Sequence, residues 1–216
     1  MSDNTGLVVL VLAAGAAALL WSSGAAARFG GPEADSASDN VTDILSGAQG
    51  DLLDMTTSYG SAGSSTGNRQ AFLDMIALSE CGAALLAATD NGYNVLVGAT
   101  AANPLTFSDY SAHPDVLNRA LDSTAAGRYQ INFPTFRTLS RQTGLTDFSP
   151  STQDAMALQL VANKGALSDV DAGNIQAAIA KCAPVWASLP GWTYGQHTNS
   201  VPTLLAWYQA QGGALA

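Results

Sequence analysis

The sequence predicts an α+β fold, mainly helical with a small antiparallel sheet, from residue 68 to the end of the chain. Helix is indicated where apolar residues recur every three or four positions, and strand where they alternate with polar ones. The helical pattern covers residues 68–80, 152–164, 174–182 and 201–211. The alternating pattern covers residues 93–97 (YNVLV), with which residues 107–110 can pair.

Each predicted helix has residues that explain where it begins or ends. The first ends near Glu80 and has one apolar face, made of Ala71, Phe72, Met75, Ile76 and Leu78. The second follows a turn at Pro150 and stops at Gly165. The third is closed by Pro184, and the fourth ends at Gly212.

Ahead of this region the chain divides into a hydrophobic segment, residues 1–28, and a linker, residues 29–67. No charge falls between residues 6 and 27, a run long enough to span a bilayer as a helix. It fits a retained membrane anchor, a cleaved secretory signal or a hairpin buried in the domain. The linker is rich in Gly, Ser, Ala and Asp, and residues 40–55 within it have the spacing of a short amphipathic helix.

The net charge of −9 and the pI near 4.3 exclude nucleic acid as a partner. Phosphate backbones and anionic lipid headgroups are held by positive fields, which this chain lacks. The same charge argues against electrostatic capture of an anionic cell-wall polymer. A glycan would therefore be held by hydrogen bonds and stacking in a groove.

Cysteine and histidine usage predicts no metal centre. Cys81 and Cys182 either form one bridge or remain two buried thiols, and their spacing matches no zinc motif. His113 and His197 are isolated from each other in the sequence. We therefore expect neither a metal nor a cofactor.

Glu80 is the carboxylate that stands out in the pattern. It ends an apolar helix, and no basic residue lies between Arg69 and Arg119. Burial without a cationic partner raises the pKa of a carboxyl group, and an acid that stays protonated near neutral pH can protonate a glycosidic oxygen. From the pattern alone, an exposed glutamate at the end of a helix is the alternative interpretation.

Eight stretches between residues 68 and 213 carry a more specific signal. In chain order they read NRQAFLDMIALSE, GYNVLVG, FSDYSAHP, STAAGRYQI, DFSPSTQDAMALQL, KGAL, IQAAIAKCAPVWASLPG and YGQ. This region resembles the endolysin family of phage lambda. The resemblance implies a lysozyme-like fold, with a glycan groove between a helical lobe and a small sheet. It also implies lytic transglycosylation, which cleaves the β-1,4 bond between N-acetylmuramic acid and N-acetylglucosamine to a 1,6-anhydro product.

The resemblance also implies roles for individual residues. Glu80 takes the position of the catalytic acid, which then acts as a base toward the C6 hydroxyl group of the muramyl sugar. The groove-lining positions fall on Ser123, Thr124, Gly127, Tyr129, Gln130, Tyr194 and Gln196. A hydrolase would ordinarily need a second carboxylate. The candidates for it are Asp90, Asp109 and Asp115.

The chain departs from the family pattern directly after the predicted acid. Cys81 stands where the family usually has glycine, and residues 81–89 (CGAALLAAT) are apolar where relatives are polar. A buried lip or lid would follow from this composition. A bridge between Cys81 and Cys182 would fix the loop.

Together these features predict a peptidoglycan lytic transglycosylase that is held in a membrane by residues 6–27. The predicted location is a phage virion or the host inner membrane, with the catalytic domain facing the periplasm. The predicted partners are glycan strands and other virion proteins. The alternatives are a muramidase that hydrolyses the same bond in the same groove, and a non-catalytic glycan-binding protein of a virion membrane.

Overall fold

The computed structural model describes residues 65–191 and 198–216. Within these residues the helices are α1 (Ser65–Cys81), α2 (Ala83–Ala88), α3 (Phe133–Thr143), α4 (Pro150–Asn163), α5 (Leu167–Asp171), α6 (Ile175–Cys182) and α7 (Val201–Ala210). The four predicted helices correspond to α1, α4, α6 and α7, and these predictions are confirmed to within a few residues at each end. The predicted membrane helix, residues 6–27, and the predicted linker helix, residues 40–55, lie outside the described residues.

Helix α1 lies at the centre of the domain and packs against α2, α4, α5 and α7. Phe72, Met75 and Ile76 are fully enclosed in the core. Polar residues of the same helix, Ser79 and Glu80, are buried as well. Because α1 is buried on several faces, most of the helix has no contact with water. The Glu80 side-chain carboxyl group, near the carboxyl-terminal end of α1, therefore lies in the interior.

Three helices begin with the same local arrangement, in which a polar side chain accepts a hydrogen bond from a backbone N–H three residues later. Asn132 caps α3, Ser149 caps α4 and Ser200 caps α7, and each helix has a proline in its first two positions. This combination satisfies amides that an α-helix leaves unpaired at its start. Helix α3 was not predicted, although Asn132 and Pro134 are a recognisable signal for its start.

The sheet is reduced to short antiparallel bridges between loops. Val95 pairs with Thr106, and Leu96 and Ile131 each pair with Ala126. The predicted pairing of residues 93–97 with the segment near residue 107 is confirmed, because the Phe107 N–H donates to the Asn94 carbonyl at 3.0 Å. The bridges bring residues 94–97, 105–107 and 123–131 into one layer beside α1.

The segment after Glu80 continues the helical lobe and does not form a separate lid. Gly82 makes the turn between α1 and α2 with a φ of 75°, a backbone conformation that favours glycine. Leu85 and Leu86 of α2 are buried in the core. The apolar composition of residues 81–89 is therefore explained by packing.

The bridge between Cys81 and Cys182 is absent. Both residues are buried free thiols, so the alternative interpretation is the correct one. The Cys81 thiol donates a weak hydrogen bond to the Arg128 carbonyl oxygen, with sulfur and oxygen 3.6 Å apart. Cys182 fills a position in the core at the end of α6.

Gln153 of α4 fixes the loop that contains Gly127. Its amide oxygen accepts the Arg128 N–H at 2.9 Å, and its amide nitrogen donates to the carbonyls of Tyr93 at 2.9 Å and Phe148 at 2.8 Å. Gly127 has a φ of 76°, and a β-carbon at this position would overlap the Gln153 amide group. The loop thus needs glycine both for its backbone conformation and for this close approach.

We expect Gly127→Ala to destabilise the domain far more than Gly144→Ala. Gly144 has nearly the same φ, 75°, but open space where a β-carbon would lie. Each variant incurs the cost of a left-handed alanine, about 1 to 2 kcal/mol. Gly127→Ala also disturbs the Gln153 hydrogen bonds, which adds about 2 kcal/mol or more. Urea unfolding of both variants measures the difference, and equal losses would contradict the role given to Gln153.

Candidate active site

Glu80 lies in the last turn of α1 with only 3% of its surface exposed. The Ser188 hydroxyl group donates to Glu80 Oε1 at 2.5 Å. The Ser188 backbone N–H also hydrogen-bonds the carboxyl group. Ser188 follows α6 in a segment that returns to the end of α1, so two parts of the chain that are far apart in sequence meet at this carboxyl group.

The polar contacts continue beyond Ser188. Ser79 donates its hydroxyl hydrogen to the Ser188 oxygen at 2.7 Å, and the Asn199 side-chain amide donates to the Ser79 oxygen at 2.9 Å. Ser79 and Ser188 are completely buried. We did not identify these residues from the sequence, although Ser79 and Ser188 lie in two of the stretches that resemble the endolysin family.

Burial raises the pKa of Glu80 from about 4.5 to about 7. Removal from water disfavours the carboxylate, and the hydrogen bonds from the Ser188 hydroxyl group and backbone N–H oppose this effect in part. The predicted direction of the shift is therefore confirmed. Near neutral pH such a group is present in both protonation states, so it can donate a proton and later accept one.

The loop of residues 123–131 is held beside the end of α1. The Cys81 thiol contacts the Arg128 carbonyl oxygen, and the Trp186 indole N–H donates to the Tyr129 carbonyl at 3.1 Å. Trp186 and Cys81 flank the residues that form the Glu80 site. The structure thus brings the predicted acid and the predicted groove-lining stretch into the same region.

The predicted groove residues differ in what their side chains do. Ser123 is buried and accepts from the Ala125 N–H, and Thr124 accepts from the Phe133 N–H. The Gln130 side chain is half-buried and donates to the Gly127 carbonyl at 2.9 Å. The side chains of Ser123, Thr124 and Gln130 therefore shape this loop, and Gln130 also has surface open to solvent.

Tyr129 has a different place from the one predicted for it. Its side chain is 1% exposed, and its hydroxyl group donates to Asp154 at 2.5 Å. Tyr93 donates to the same carboxylate at 3.0 Å. The Tyr129 side chain is enclosed below the loop, so its hydroxyl group does not face a groove.

Arg128, within the loop of residues 123–131, is an ion-pair partner of Asp74. Its guanidinium group lies 2.6 Å from Asp74 and donates to the Asn91 carbonyl at 2.5 Å. It also stacks over the Tyr93 ring. The Arg128 guanidinium group therefore holds the loop against α1 and against the layer formed by the antiparallel bridges.

Asp154, a half-buried residue, has a second carboxyl group with little contact with solvent that we did not identify from the sequence. Burial raises its pKa to about 6, and the hydrogen bonds from Tyr129 and Tyr93 oppose this effect. Both oxygens accept from tyrosine hydroxyl groups. Asp154 therefore stabilises the loop by accepting hydrogen bonds from both tyrosines.

The three aspartates considered as a second catalytic carboxylate are on the surface. Asp90 accepts a hydrogen bond from the Tyr110 hydroxyl group at 2.6 Å. Hydrogen bonds from Ser111 lower the pKa of Asp109, which is fully exposed. Asp115 is exposed in a turn with a φ of 49°. All three are open to solvent, unlike Glu80. Tyr194 and Gln196 lie outside the described residues.

Comparison with known proteins identifies the family. The family model described as Endolysin matches residues 70–215. The chain is 43% identical to the endolysin of Escherichia phage lambda over 158 residues, which cover 68% of this chain and 92% of the relative. It is 42% identical to the endolysin of Escherichia phage P2 over 157 residues, which cover 69% of this chain and 95% of that relative. The chain belongs to the endolysin family.

Solved structures of a family member share the fold. The structure of bacteriophage lambda lysozyme complexed with a chitohexasaccharide matches with a TM-score of 0.62 and 42% sequence identity, over 69% of this chain and 97% of that one. A second structure, of lysozyme from bacteriophage lambda, matches with a TM-score of 0.61 at 41% identity. The predicted α+β, lysozyme-like fold is confirmed.

The predicted location in a virion or in the host inner membrane is wrong. The relatives that the chain matches are phage endolysins. Within residues 65–191 and 198–216, no helix has the length and apolar character needed to cross a bilayer. The prediction depended on residues 6–27, which lie outside the described residues.

We expect Glu80→Gln to raise the free energy of unfolding relative to wild type, by an amount that increases with pH. The folded-state pKa of Glu80 is about 7, above its ordinary value of 4.5, so the wild-type protein loses stability as the pH rises from about 4.5 to 7. Glutamine cannot ionise and can still accept the Ser188 hydrogen bond. The difference in unfolding free energy between variant and wild type should therefore grow by about 2 to 3 kcal/mol between pH 5 and pH 8. Urea unfolding at both pH values measures it, and a difference independent of pH would mean that Glu80 is not desolvated.

Proposed function

We propose that this endolysin is a peptidoglycan lytic transglycosylase. Its substrate is the β-1,4 bond between N-acetylmuramic acid and N-acetylglucosamine, and its product carries a 1,6-anhydromuramyl end. Residues 68–216 form the catalytic domain. The observation that carries the proposal is one buried carboxyl group, Glu80, with a pKa of about 7 in a family of peptidoglycan-degrading endolysins.

One carboxyl group is sufficient for both steps of this reaction. Protonated Glu80 gives its proton to the glycosidic oxygen, and the bond from that oxygen to C1 of the muramyl sugar breaks. The C6 hydroxyl oxygen of the same sugar then forms a bond to C1, and the Glu80 carboxylate takes the hydroxyl proton. The acid is regenerated without a water nucleophile, so a second carboxylate to activate water is not needed.

The other described carboxylates near the loop are committed to different partners, which supports this chemistry over hydrolysis. Asp74 pairs with Arg128, Asp154 accepts from two tyrosines, and Asp90 accepts from Tyr110. A hydrolase would need one of them, or a residue outside the described ranges, to act on water or on the sugar. Among the described carboxyl groups, Glu80 combines near-complete burial with a pKa of about 7.

Glycan binding by neutral contacts is consistent with the charge of the chain. The net charge of −9 gives no attraction to an anionic wall polymer. The related lambda lysozyme has been solved with a chitohexasaccharide, an uncharged sugar chain. We propose that the backbone of residues 123–131, the exposed part of Gln130, and Tyr194 and Gln196 line the groove for the glycan strand.

The products released from purified sacculi test the proposal directly. We expect the full-length protein to release muropeptides with anhydromuramyl ends, which mass spectrometry distinguishes from reducing ends by the loss of one water. Glu80→Gln should lower the rate of muropeptide release by a factor of about 1,000 or more, because the variant cannot donate the proton. Reducing muramyl ends would indicate a muramidase instead, and equal release by the variant would show that Glu80 is not the acid.

Substitution of the surface aspartates provides a second test. We expect Asp90→Asn and Asp109→Asn to retain activity to within about twofold, because neither group takes part in a single-carboxyl mechanism. The rate of turbidity loss of sacculi suspensions measures this for each variant and for the double variant. A loss of about 100-fold or more from either single change would identify a second catalytic carboxylate and favour hydrolysis.

A further inference from the structure

The buried polar groups around Glu80 form a chain with a defined direction. The Asn199 side-chain N–H donates to Ser79, Ser79 donates to Ser188, and Ser188 donates to Glu80 Oε1, at 2.9, 2.7 and 2.5 Å. A serine hydroxyl group has a single hydrogen to donate. Because an amide N–H only donates, Asn199 leaves Ser79 to donate onward, and Ser79 in turn leaves Ser188 to donate to the carboxyl group.

We propose that Ser188 is a positioning residue for the acid, and that Ser79 and Asn199 hold its hydroxyl hydrogen toward Glu80. The inference rests on the proposed function, since it assigns a role in the reaction of Glu80. Oε1 accepts the Ser188 hydroxyl hydrogen at 2.5 Å, and the carboxyl group is almost completely buried. This series of hydrogen bonds therefore restricts the orientation of the carboxyl group that transfers the proton.

The burial of these groups argues for a role beyond stability. Two serine hydroxyl groups and a carboxyl group inside an apolar core cost free energy unless each is hydrogen-bonded, and an alanine at each serine position would avoid that cost. Ser79 and Ser188 are each fully enclosed, and within the described residues the hydrogen bonds of their hydroxyl groups connect them to each other, to Glu80 and to Asn199. The arrangement serves the carboxyl group at its end.

The backbone adds to the same arrangement. The Asn199 N–H donates to the Ser188 carbonyl oxygen at 2.9 Å, so the two residues are joined by a direct main-chain contact as well as through Ser79. Ser188 and Asn199 lie on either side of the segment that contains Tyr194 and Gln196. The contact that orients the acid is thus also the contact that brings both ends of this segment to α1.

Two other titratable groups near Glu80, Cys81 and Arg128, are either neutral or paired with another residue. The neighbouring Cys81 thiol stays neutral because burial, reinforced by the Glu80 charge, raises its pKa to about 12. The Arg128 guanidinium group is paired with Asp74. Burial and the two hydrogen bonds from Ser188 are the influences on the Glu80 pKa, so removal of the Ser188 hydroxyl group takes away a group that favours the carboxylate.

The composition of the chain allows a direct measurement of the acid. The sequence contains two glutamates, Glu33 and Glu80. Protein labelled with carbon-13 at the glutamate side-chain carboxyl group therefore gives two signals, and Glu80→Gln assigns them. Titration of the Glu80 signal in the full-length protein reports its protonation whatever reaction the enzyme catalyses.

We expect Ser188→Ala to raise the midpoint of the Glu80 titration by about one pH unit, since a hydrogen bond to a charged group is lost. The alkaline limb of kcat/KM for sacculus cleavage should move upward by the same amount, while kcat falls about tenfold because the carboxyl group is no longer held in one orientation. Ser79→Ala and Asn199→Ala should shift the midpoint in the same direction by about a third of a unit, because Ser188 keeps its hydroxyl group but loses its orientation.

Ser140→Ala is the matched control. It removes one buried hydroxyl group, from α3, which has no hydrogen-bond partner among the described residues. It should leave both the titration and the pH profile unchanged. If Ser188→Ala and Asn199→Ala lower activity or melting temperature without moving the Glu80 midpoint, the chain is only structural and the inference fails. A shifted midpoint together with reducing-end products would uphold the inference and reject the transglycosylase.

Discussion

The burial of the Glu80 carboxyl group is the constraint on which the rest of the site depends. A carboxylate in the core is unfavourable unless it is protonated or hydrogen-bonded, and α1 can place it there only because its apolar residues pack on several sides. The segment after α6 returns to α1 to supply Ser188. The loop of residues 123–131 then closes the region through its contacts with Cys81 and Trp186.

Burial raises the pKa of two carboxyl groups in the described part of the chain, Glu80 and Asp154, and their surroundings distinguish their roles. Asp154 has both oxygens engaged by tyrosine hydroxyl groups, so it has no free position for a substrate. Glu80 accepts its hydrogen bonds from a single residue, Ser188, whose hydroxyl group donates to Oε1 and whose backbone N–H also contacts the carboxyl group. A perturbed pKa therefore indicates burial, and the partners of the carboxyl group decide whether it can act as an acid.

The sequence was sufficient to predict the helices that have a strong apolar pattern and to identify Glu80 through the family resemblance. It was not sufficient for α3, which is polar overall and buries Phe136 and Leu139 on one face. Ser79, Ser188 and Asn199 meet across more than 100 positions of chain, a relationship that no local spacing encodes. The location was wrong because it depended on the hydrophobic segment of residues 6–27, and an uncharged run of this length fits several roles besides a membrane anchor.

The three hydrogen bonds of Gln153 have a consequence for motion. One amide side chain joins α4 to the backbone of Tyr93, Arg128 and Phe148, which lie in three separate segments. When one of these segments detaches, the buried Gln153 amide group loses the hydrogen bond to that segment. We therefore expect the loop of residues 123–131 to open together with α4 as a single cooperative unit. The amide protons of the loop should then exchange with solvent at the rate of α4, more slowly than those of an independent surface loop.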